Sequence, residues 1–294
     1  MAEESLRAKS GRSARRRAWD RWMGRLLPFS FAIAILPILD MIYWIGARAL
    51  PTLTWTTLTT DPTGLSGGLY GPLVGTLDIL ALSTAISTVL GVAGAAWVAE
   101  FAGPRWADVC RTGANLLAGV PSIVVGYFGY FALVLYFGWG PSLLSGSVTL
   151  AIFLVPYIFR ATDLAISGIP RDLREAALGL GASRGQYLTR VGLPVALPRI
   201  LNSILLAASI GIGETAPLLY TAFFNNYPPT GLTSKTGYLT GLIWNYYDEP
   251  AHFGTEVTLA FQAAFLLLLI VIGLNVLVRV VSRRYERRLR GLFA

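Results

Sequence analysis

Residues 171–198 read RDLREAALGLGASRGQYLTRVGLPVALP, the longest charged interruption between two strongly apolar stretches of the chain. Local chemistry predicts two short helices here. Pro170 suits the first position of a helix, where no N–H donor is needed. Asp172 and Glu175 then fall in the first turns, where carboxylates meet the positive end of the helix dipole. Arg171 and Glu175 stand four apart, in the weaker order for an ion pair along a helix. Gly179 and Gly181 can end that helix, because glycine accepts the left-handed conformation of a C-cap. Ser183 and Gln186 have the spacing of a capping box for a second helix, which Pro194 is expected to stop. Taken alone, the pattern fits an ordinary basic loop with two amphipathic turns equally well. The chain on either side has to decide.

That surrounding chain is membrane protein. Of 294 residues, 54% are hydrophobic and only 14% are charged. Mean hydropathy is +0.58. A bilayer span needs about twenty apolar residues, and such runs recur near 24–50, 73–101, 112–137, 146–168, 198–222 and 256–281. The expected fold class is therefore an all-α membrane protein with six transmembrane helices in one domain. The one cysteine, Cys110, excludes an intrachain disulfide and any cysteine-based metal cage.

The N-terminal stretch carries Arg7, Lys9, Arg12, Arg15, Arg16, Arg17, Arg21 and Arg25 ahead of an apolar run. A signal peptide has that layout, and Ala47-Arg48-Ala49 imitates its cleavage site. The run from Leu26 to Ile45 is longer than a signal peptide needs, so a retained first span is expected. Basic arms of this kind bind nucleic acid in other settings; a disordered anchor on the inner leaflet is the simpler account.

Orientation follows from the arginines. With the N-terminus inside, the inner loops hold Arg105, Arg111, Arg171, Arg174, Arg184, Arg190 and Arg199. The inner C-terminal end holds Arg279, Arg283, Arg284, Arg287, Arg288 and Arg290, whereas the outer segments hold only Arg48 and Lys235. This is the asymmetry of the positive-inside rule, and it puts both termini and the 171–197 loop in the cytoplasm.

Along the chain, Pro28 and Pro37 predict kinks in the first span. Trp55 and Tyr70 suit the membrane interface. Gly71 and Gly75 give a weak small-residue packing signal. Asp78 lies near the outer end of the second span, within reach of water. The third span carries Gly119-Val120-Pro121-Ser122-Ile123-Val124-Val125-Gly126, a bend with small residues that serves either a gate or plain packing. Arg160 and Asp163, three apart, read as a structural ion pair at the inner interface.

The fifth span contains Gly211-Ile212-Gly213-Glu214-Thr215-Ala216-Pro217-Leu218-Leu219-Tyr220. If the helix is continuous, Glu214 lies roughly 20 Å along its axis from Ile200, at 1.5 Å per residue. A carboxylate at that depth is expensive without partners. Gly213 and Pro217 flank it, so distorted backbone is expected, which membranes tolerate where it lines a cavity or is covered by protein. Two readings stand: Glu214 serves a pathway, or it cross-links helices. The 223–254 segment is rich in aromatics (Phe223, Phe224, Tyr227, Tyr238, Trp244, Tyr246, Tyr247), fitting the interface or a docking surface. His252, the only histidine, reads as incidental.

Three stretches resemble a known family. Glu175-Ala176-Ala177, Gly181, Val191 and Leu193-Pro194 are similar to the EAA loop of ABC-importer membrane subunits, where a short helix docks on a cytoplasmic ATPase. The family form has Ile at Val191. Residues 121–126 resemble the PSIxxG segment of phosphate-importer permeases, and 213–222, GETAPLLYTA, resemble the hallmark of the PstA type. The likeness runs from about Gly71 to the last span and leaves the N-terminal arm uncovered. It implies a MetI-like permease: a basic arm at 1–25, a transmembrane domain at 26–294 and a coupling loop at about 169–197. It implies ATPase coupling by Glu175, Ala176, Ala177, Gly181, Val191, Leu193 and Pro194. It places Glu214, Thr215, Pro217, Ser122 and Gly126 on the translocation pathway. The implied partners are a homologous PstC-type permease, two copies of a PstB-type ATPase carrying ATP and Mg, and an external PstS-type phosphate-binding protein. The implied location is a bacterial or archaeal inner membrane. One departure matters: many members carry Arg one turn before the Glu, where this chain has Ile210. The positive group would then come from the partner permease.

Other classes lack their parts. No G-x-x-x-x-G-K-[ST] occurs, so ATP is not expected on this chain. Residues 181–185, GASRG, match G-x-S-x-G, but a hydrolase elbow needs a strand-to-helix turn with His and an acid converging on it. A membrane enzyme would need a convergent acid/base or metal set. A passive channel would not need an ATPase-docking loop. A permease for another oxyanion would keep that loop and lose GETAPL, while a phosphate sensor is compatible with transport.

Overall fold

The computed structural model describes residues 2–62, 67–248 and 254–293, with side chains from Trp19 to Arg283 apart from Arg21 and Leu27. His252 and the 249–253 part of the outer segment lie outside the described residues. So do the side chains of most of the N-terminal arginines and of Arg284, Arg287, Arg288 and Arg290. The chain divides into two compact units, Met1–Pro51 and Thr52–Ala294. Among the described residues every regular element is helical.

The first unit is one helix, α1 (Ala2–Ala49), with Pro28 and Pro37 inside it. Its Trp22–Ala49 part is long and apolar enough to cross a membrane. The expected disordered arm is thus helical backbone continuous with the first span. Residues 2–27 contain no proline and are rich in Arg and Ala, both good helix formers.

The second unit begins with a short helix, α2 (Trp55–Thr59), closed by a Thr54–Thr57 capping box. The second span is α3 (Tyr70–Glu100), 31 residues and about 46 Å long. Next come α4 (Pro104–Ala118) and α5 (Ser122–Gly129), the latter continuing as π-helix through Tyr136. The fourth span is α6 (Leu143–Ser167). The connecting loop holds α7 (Arg171–Gly179) and α8 (Arg184–Tyr187), and a π-helical turn, Leu188–Gly192, leads into α9 (Leu193–Gly211). After an irregular stretch, α10 (Leu239–Asp248) precedes the last span, α11 (Thr255–Phe293).

Helix α6 is the centre of the second unit. Two-thirds of its apolar window, 67%, is buried, against 33% for α3. Leu150, Leu154 and Ile158 of α6 pack with Ile79 of α3, Val125 of α5, Ala207 of α9 and Leu218. Gly91 of α3 lets Ile158 approach so closely that a Cβ there would stand 2.9 Å from its side chain.

Three expectations are corrected. The third span is not one helix: α4 and α5 meet at 101°. Pro121 has no N–H and pushes Val120 out of the helical region, and Gly119 caps α4. The fifth span ends as a helix at Gly211, so Glu214 lies in turns beyond the helix rather than within it. Pro217 disfavours helix at Ala216, and i→i+3 bonds from Gly213 and Glu214 to Ile210 and Gly211 (3.1 and 3.2 Å) close the helix end. Finally, Pro194 does not stop the second loop helix. The π-turn at 188–192 sits just before it, and Pro194 falls in the first turn of α9, where its missing N–H is harmless. Arg184–Gly211 is one candidate span as a result.

The loop between α9 and α10, expected outside, is tied down by the start of α6. The N–H groups of Ser142, Leu143 and Leu144 donate to the carbonyls of Thr221 (2.9 Å), Ser234 (2.9 Å) and Leu232 (2.8 Å). These are donors that a helix start leaves unpaired. Gly71 and Gly75, expected as a helix–helix packing signal, admit this loop instead. A Cβ on Gly75 would collide with the Gly237 carbonyl, and one on Gly71 with Asn226.

Candidate functional site

The 171–193 loop presents its motif on two sides. Pro170 caps α7 rather than occupying its first turn, and Gly181 closes it in the left-handed conformation, φ +86°. The predicted capping box is present: Ser183 N–H donates to Gln186 Oε1 (2.9 Å), and Gln186 N–H to Ser183 Oγ (3.2 Å). Glu175, Ala176 and Gly181 are exposed, beside Leu180, which is 90% exposed. An apolar side chain held that far out on a capped turn is available to another protein. Ala177, Val191 and Leu193 are half-buried, and Leu193 packs on Ile166, Leu188 and Ile200. Pro194 is exposed at the start of α9. The motif therefore splits into an outward face and a seat.

The inward face of α7 holds a pair that motif reading missed. Arg174 donates from Nη2 to Glu100 Oε1 (2.7 Å) and from Nε to Oε2 (3.2 Å). The Glu100 side chain is only 3% exposed. Its carboxylate ends α3, where the helix dipole is negative and opposes it. That placement is the sequence signal that it needed a cation. Arg174 also lies over the Tyr187 ring, 5.8 Å from its centroid. The hydrogen bonds to Glu100 raise the Arg174 pKa above its ordinary value, so the guanidinium stays charged.

The expected Arg160–Asp163 pair does not form. Asp163 takes a bidentate contact from Arg111, 2.8 and 2.9 Å, which binds α4 to α6. Arg160 points outward. An i,i+3 partner on the same helix yields here to the planar fork of a guanidinium from a neighbouring helix.

The second site is the turn at 212–222. Gly126 of α5 touches it: a Cβ there would stand 2.7 Å from the Ala216 carbonyl and 2.9 Å from Pro217 Cα. The close approach brings the Ser122 hydroxyl beside the Glu214 carboxylate. Thr240 Oγ1 donates to the Glu214 main-chain carbonyl (3.2 Å). Pro217 is buried, while Glu214 and Thr215 are half-exposed. A cavity of about 10 Å³ beside Glu214 is lined by Thr76, Ile79, Leu150, Tyr238 and Thr240 among others, with no basic residue. Among the described residues the ion pairs are Arg111–Asp163 and Arg174–Glu100, so Glu214 meets no cation. Tyr220 stacks edge-on with Tyr127 (5.3 Å) and lies 6.0 Å from Tyr130, and Tyr127 and Tyr220 are 50% and 42% exposed. Ser122, Gly126, Glu214, Thr215 and Pro217 are thus brought together, next to an exposed aromatic face.

Among the described residues no group of three His, Cys, Asp or Glu side chains is arranged to hold a metal. The Gly181–Gly185 stretch lies in a helix–turn–helix context, without the strand that a hydrolase elbow needs.

Comparison with known proteins agrees with this layout. Residues 87–291 match the family described as binding-protein-dependent transport system inner membrane component. The chain is 40% identical over 262 residues to phosphate transport system permease protein PstA 2 of Mycobacterium bovis, covering 86% of this chain and 85% of that one. It is 32% identical over 280 residues to phosphate transport system permease protein PstA of Yersinia pestis, covering 91% and 92%. Among solved structures, a chain of a bacterial ABC transporter that imports the polysaccharide alginate superimposes with TM-score 0.63 at 18% identity, covering 92% of this chain and 96% of that one. A chain of the inward-facing MetNI methionine ABC transporter gives 0.57 at 21% identity, covering 74% and 97%. At these identities the structures speak for the fold alone.

Proposed function

The chain belongs to the binding-protein-dependent transport system inner membrane component family, and from that membership we propose that it is one transmembrane half of an ATP-driven importer of inorganic phosphate. The observation that carries the phosphate reading is spatial. The two stretches patterned like phosphate permeases, 121–126 and 213–222, are far apart in sequence and meet at Gly126 and Ala216–Pro217. Membrane-depth backbone that leaves the helix, as 212–222 does, is tolerated where it lines a passage or is covered by protein.

In this reading the exposed aromatic face around Tyr127 and Tyr220 meets a homologous PstC-type permease, and the pathway runs between the two. The partner supplies the cation that Glu214 lacks among the described residues. HPO₄²⁻ still carries a proton, which the Glu214 carboxylate accepts in a hydrogen bond once a positive group lies nearby. Two PstB-type ATPases carry ATP and Mg and dock on Glu175, Ala176, Leu180 and Gly181 and their counterparts. A PstS-type binding protein delivers phosphate to the outer loop. Both termini and α7 face the cytoplasm of a bacterial or archaeal inner membrane, following the arginines. The chain makes and breaks no covalent bond; its work is alternating access.

The test is uptake by proteoliposomes holding the full complex. Labelled phosphate should enter only with ATP inside and binding protein outside, and excess sulfate should not compete. Uptake without ATP would make the chain a channel. Competition by sulfate equal to that by phosphate would make it a permease for another oxyanion.

A further inference from the structure

Helices α6, α9 and α11 enclose a groove of about 910 Å³ that the transport reading does not use. Arg199 of α9 and Arg279 and Arg283 of α11 line it, and no Asp or Glu is among its lining residues. None of the three takes part in an ion pair among the described residues. Arg279 and Arg283 are four apart and share one face of α11. Arg199 folds over the end of α6: its Nη1 lies 3.2 Å from where a Cβ on Gly168 would stand, so the glycine leaves it room. The groove wall is apolar and open, with Leu164 and Leu206 71% and 51% exposed. A hydrogen bond from Ser282 Oγ to Asn202 Oδ1 (2.9 Å) fixes α11 against α9 beneath the arginines.

Arginines at the inner end of a bundle usually form a solvated collar, and three scattered ones would mean no more than that. Here they converge on one cavity with no counter-charge among the described residues that line it, and the cavity continues into an exposed apolar wall. A guanidinium pairs a phosphate through two parallel hydrogen bonds, and an aliphatic chain suits the Leu164–Leu206 wall. A ligand with both parts is a phospholipid, and basic pockets between helices on the cytoplasmic side bind anionic headgroups. We propose that this groove is a binding site for an anionic phospholipid of the inner leaflet, with its headgroup on Arg199, Arg279 and Arg283 and an acyl chain along Leu164 and Leu206. The side of the membrane rests on the transport reading, since the groove reaches Pro170 at the foot of α7.

The test uses the intact importer, extracted in mild detergent from membranes containing phosphatidylglycerol and examined by native mass spectrometry. Wild type should retain anionic lipid, and the triple variant Arg199→Gln, Arg279→Gln, Arg283→Gln should lose it at least tenfold. The corresponding Arg→Lys triple variant, which keeps the charge, should retain most of it. Equal retention by wild type and the Gln variant overturns the site. So does release of the lipid by millimolar inorganic phosphate, which would make the groove a site for the free anion. A photoreactive residue at Leu206 in otherwise wild-type complex reads the site without disturbing the arginines. It should cross-link to lipid; cross-linking to α1 or to a partner helix instead overturns the proposal. Phosphate uptake by the same preparation tests the transport reading separately, because lipid retention by a complex that moves no phosphate leaves this site standing.

Discussion

Arg174 of α7 and Glu100 of α3 form a two-pronged contact across 74 positions of sequence, and it joins the exposed loop helix to the full-length second span. At its other end α3 holds the outer loop, through Gly75 against Gly237 and Thr76 Oγ1, which accepts from Leu239 N–H at 2.8 Å. One rod of about 46 Å thus links α7, the proposed ATPase-docking helix, to the loop before α10.

Breaking that joint should uncouple before it unfolds. Glu100→Gln is expected to lower phosphate moved per ATP hydrolysed by at least about fivefold, the lower end of coupling energies between distant sites. Arg174→Glu should do the same, and the exchange Glu100→Arg with Arg174→Glu should restore part of it. Uptake per ATP measured in proteoliposomes decides; an unchanged ratio in both single variants would reduce the pair to local support.

Gly181 offers a graded test of the docking turn. Its φ of +86° costs an L-residue about 1–2 kcal/mol, yet nothing lies within 4 Å of a Cβ there. Strain and charge can therefore be separated without a clash. Gly181→Asn should be closest to wild type, because Asn visits this conformation. Gly181→Asp, similar in shape but charged, should assemble and hydrolyse ATP with poor phosphate transport. Equal transport by the Asn and Asp variants would mean that the turn's charge is irrelevant to docking.

Glu214→Gln keeps the shape and removes the charge. Uptake should fall about tenfold, the effect of roughly 1.4 kcal/mol, with the complex assembled at equal abundance. Gly126→Val should abolish uptake, by driving Ala216 and Pro217 away from α5. Wild-type uptake by Glu214→Gln would leave the residue as a helix cross-link, and loss of assembly would say the same.

Topology can be checked by single cysteines in a Cys110→Ala background. Thr59, Thr233 and Ser183 are all exposed. Cysteines at Thr59 and Thr233 should label from outside and one at Ser183 only from inside. Outside labelling at Ser183 would leave no ATPase able to reach α7.

The sequence made the helical class, the spans and the capped loop legible, because hydropathy, capping spacing and glycine at a left-handed turn are local signals. The site was legible as pieces. GETAPL and PSIxxG could be read separately, but their contact at Gly126 depends on a close approach that no spacing encodes. The breaks were misjudged where proline meets glycine. Pro121 gave a 101° corner instead of a bend within one helix, Pro217 belonged to a turn instead of a bent helix, and Pro194 opened α9 after a π-turn. The ion pairs were out of reach because cations from other helices, Arg111 and Arg174, chose the acids.

The start of α6 has a temporal consequence. The carbonyls that complete it belong to Thr221, Leu232 and Ser234, which leave the ribosome many tens of residues later. Until then the most buried helix of the bundle sits in the bilayer with an unfinished end. Its last bonds form only when the chain has crossed the membrane again. Truncation before residue 221 should therefore leave α6 inserted but open to hydrogen exchange at Ser142–Leu144.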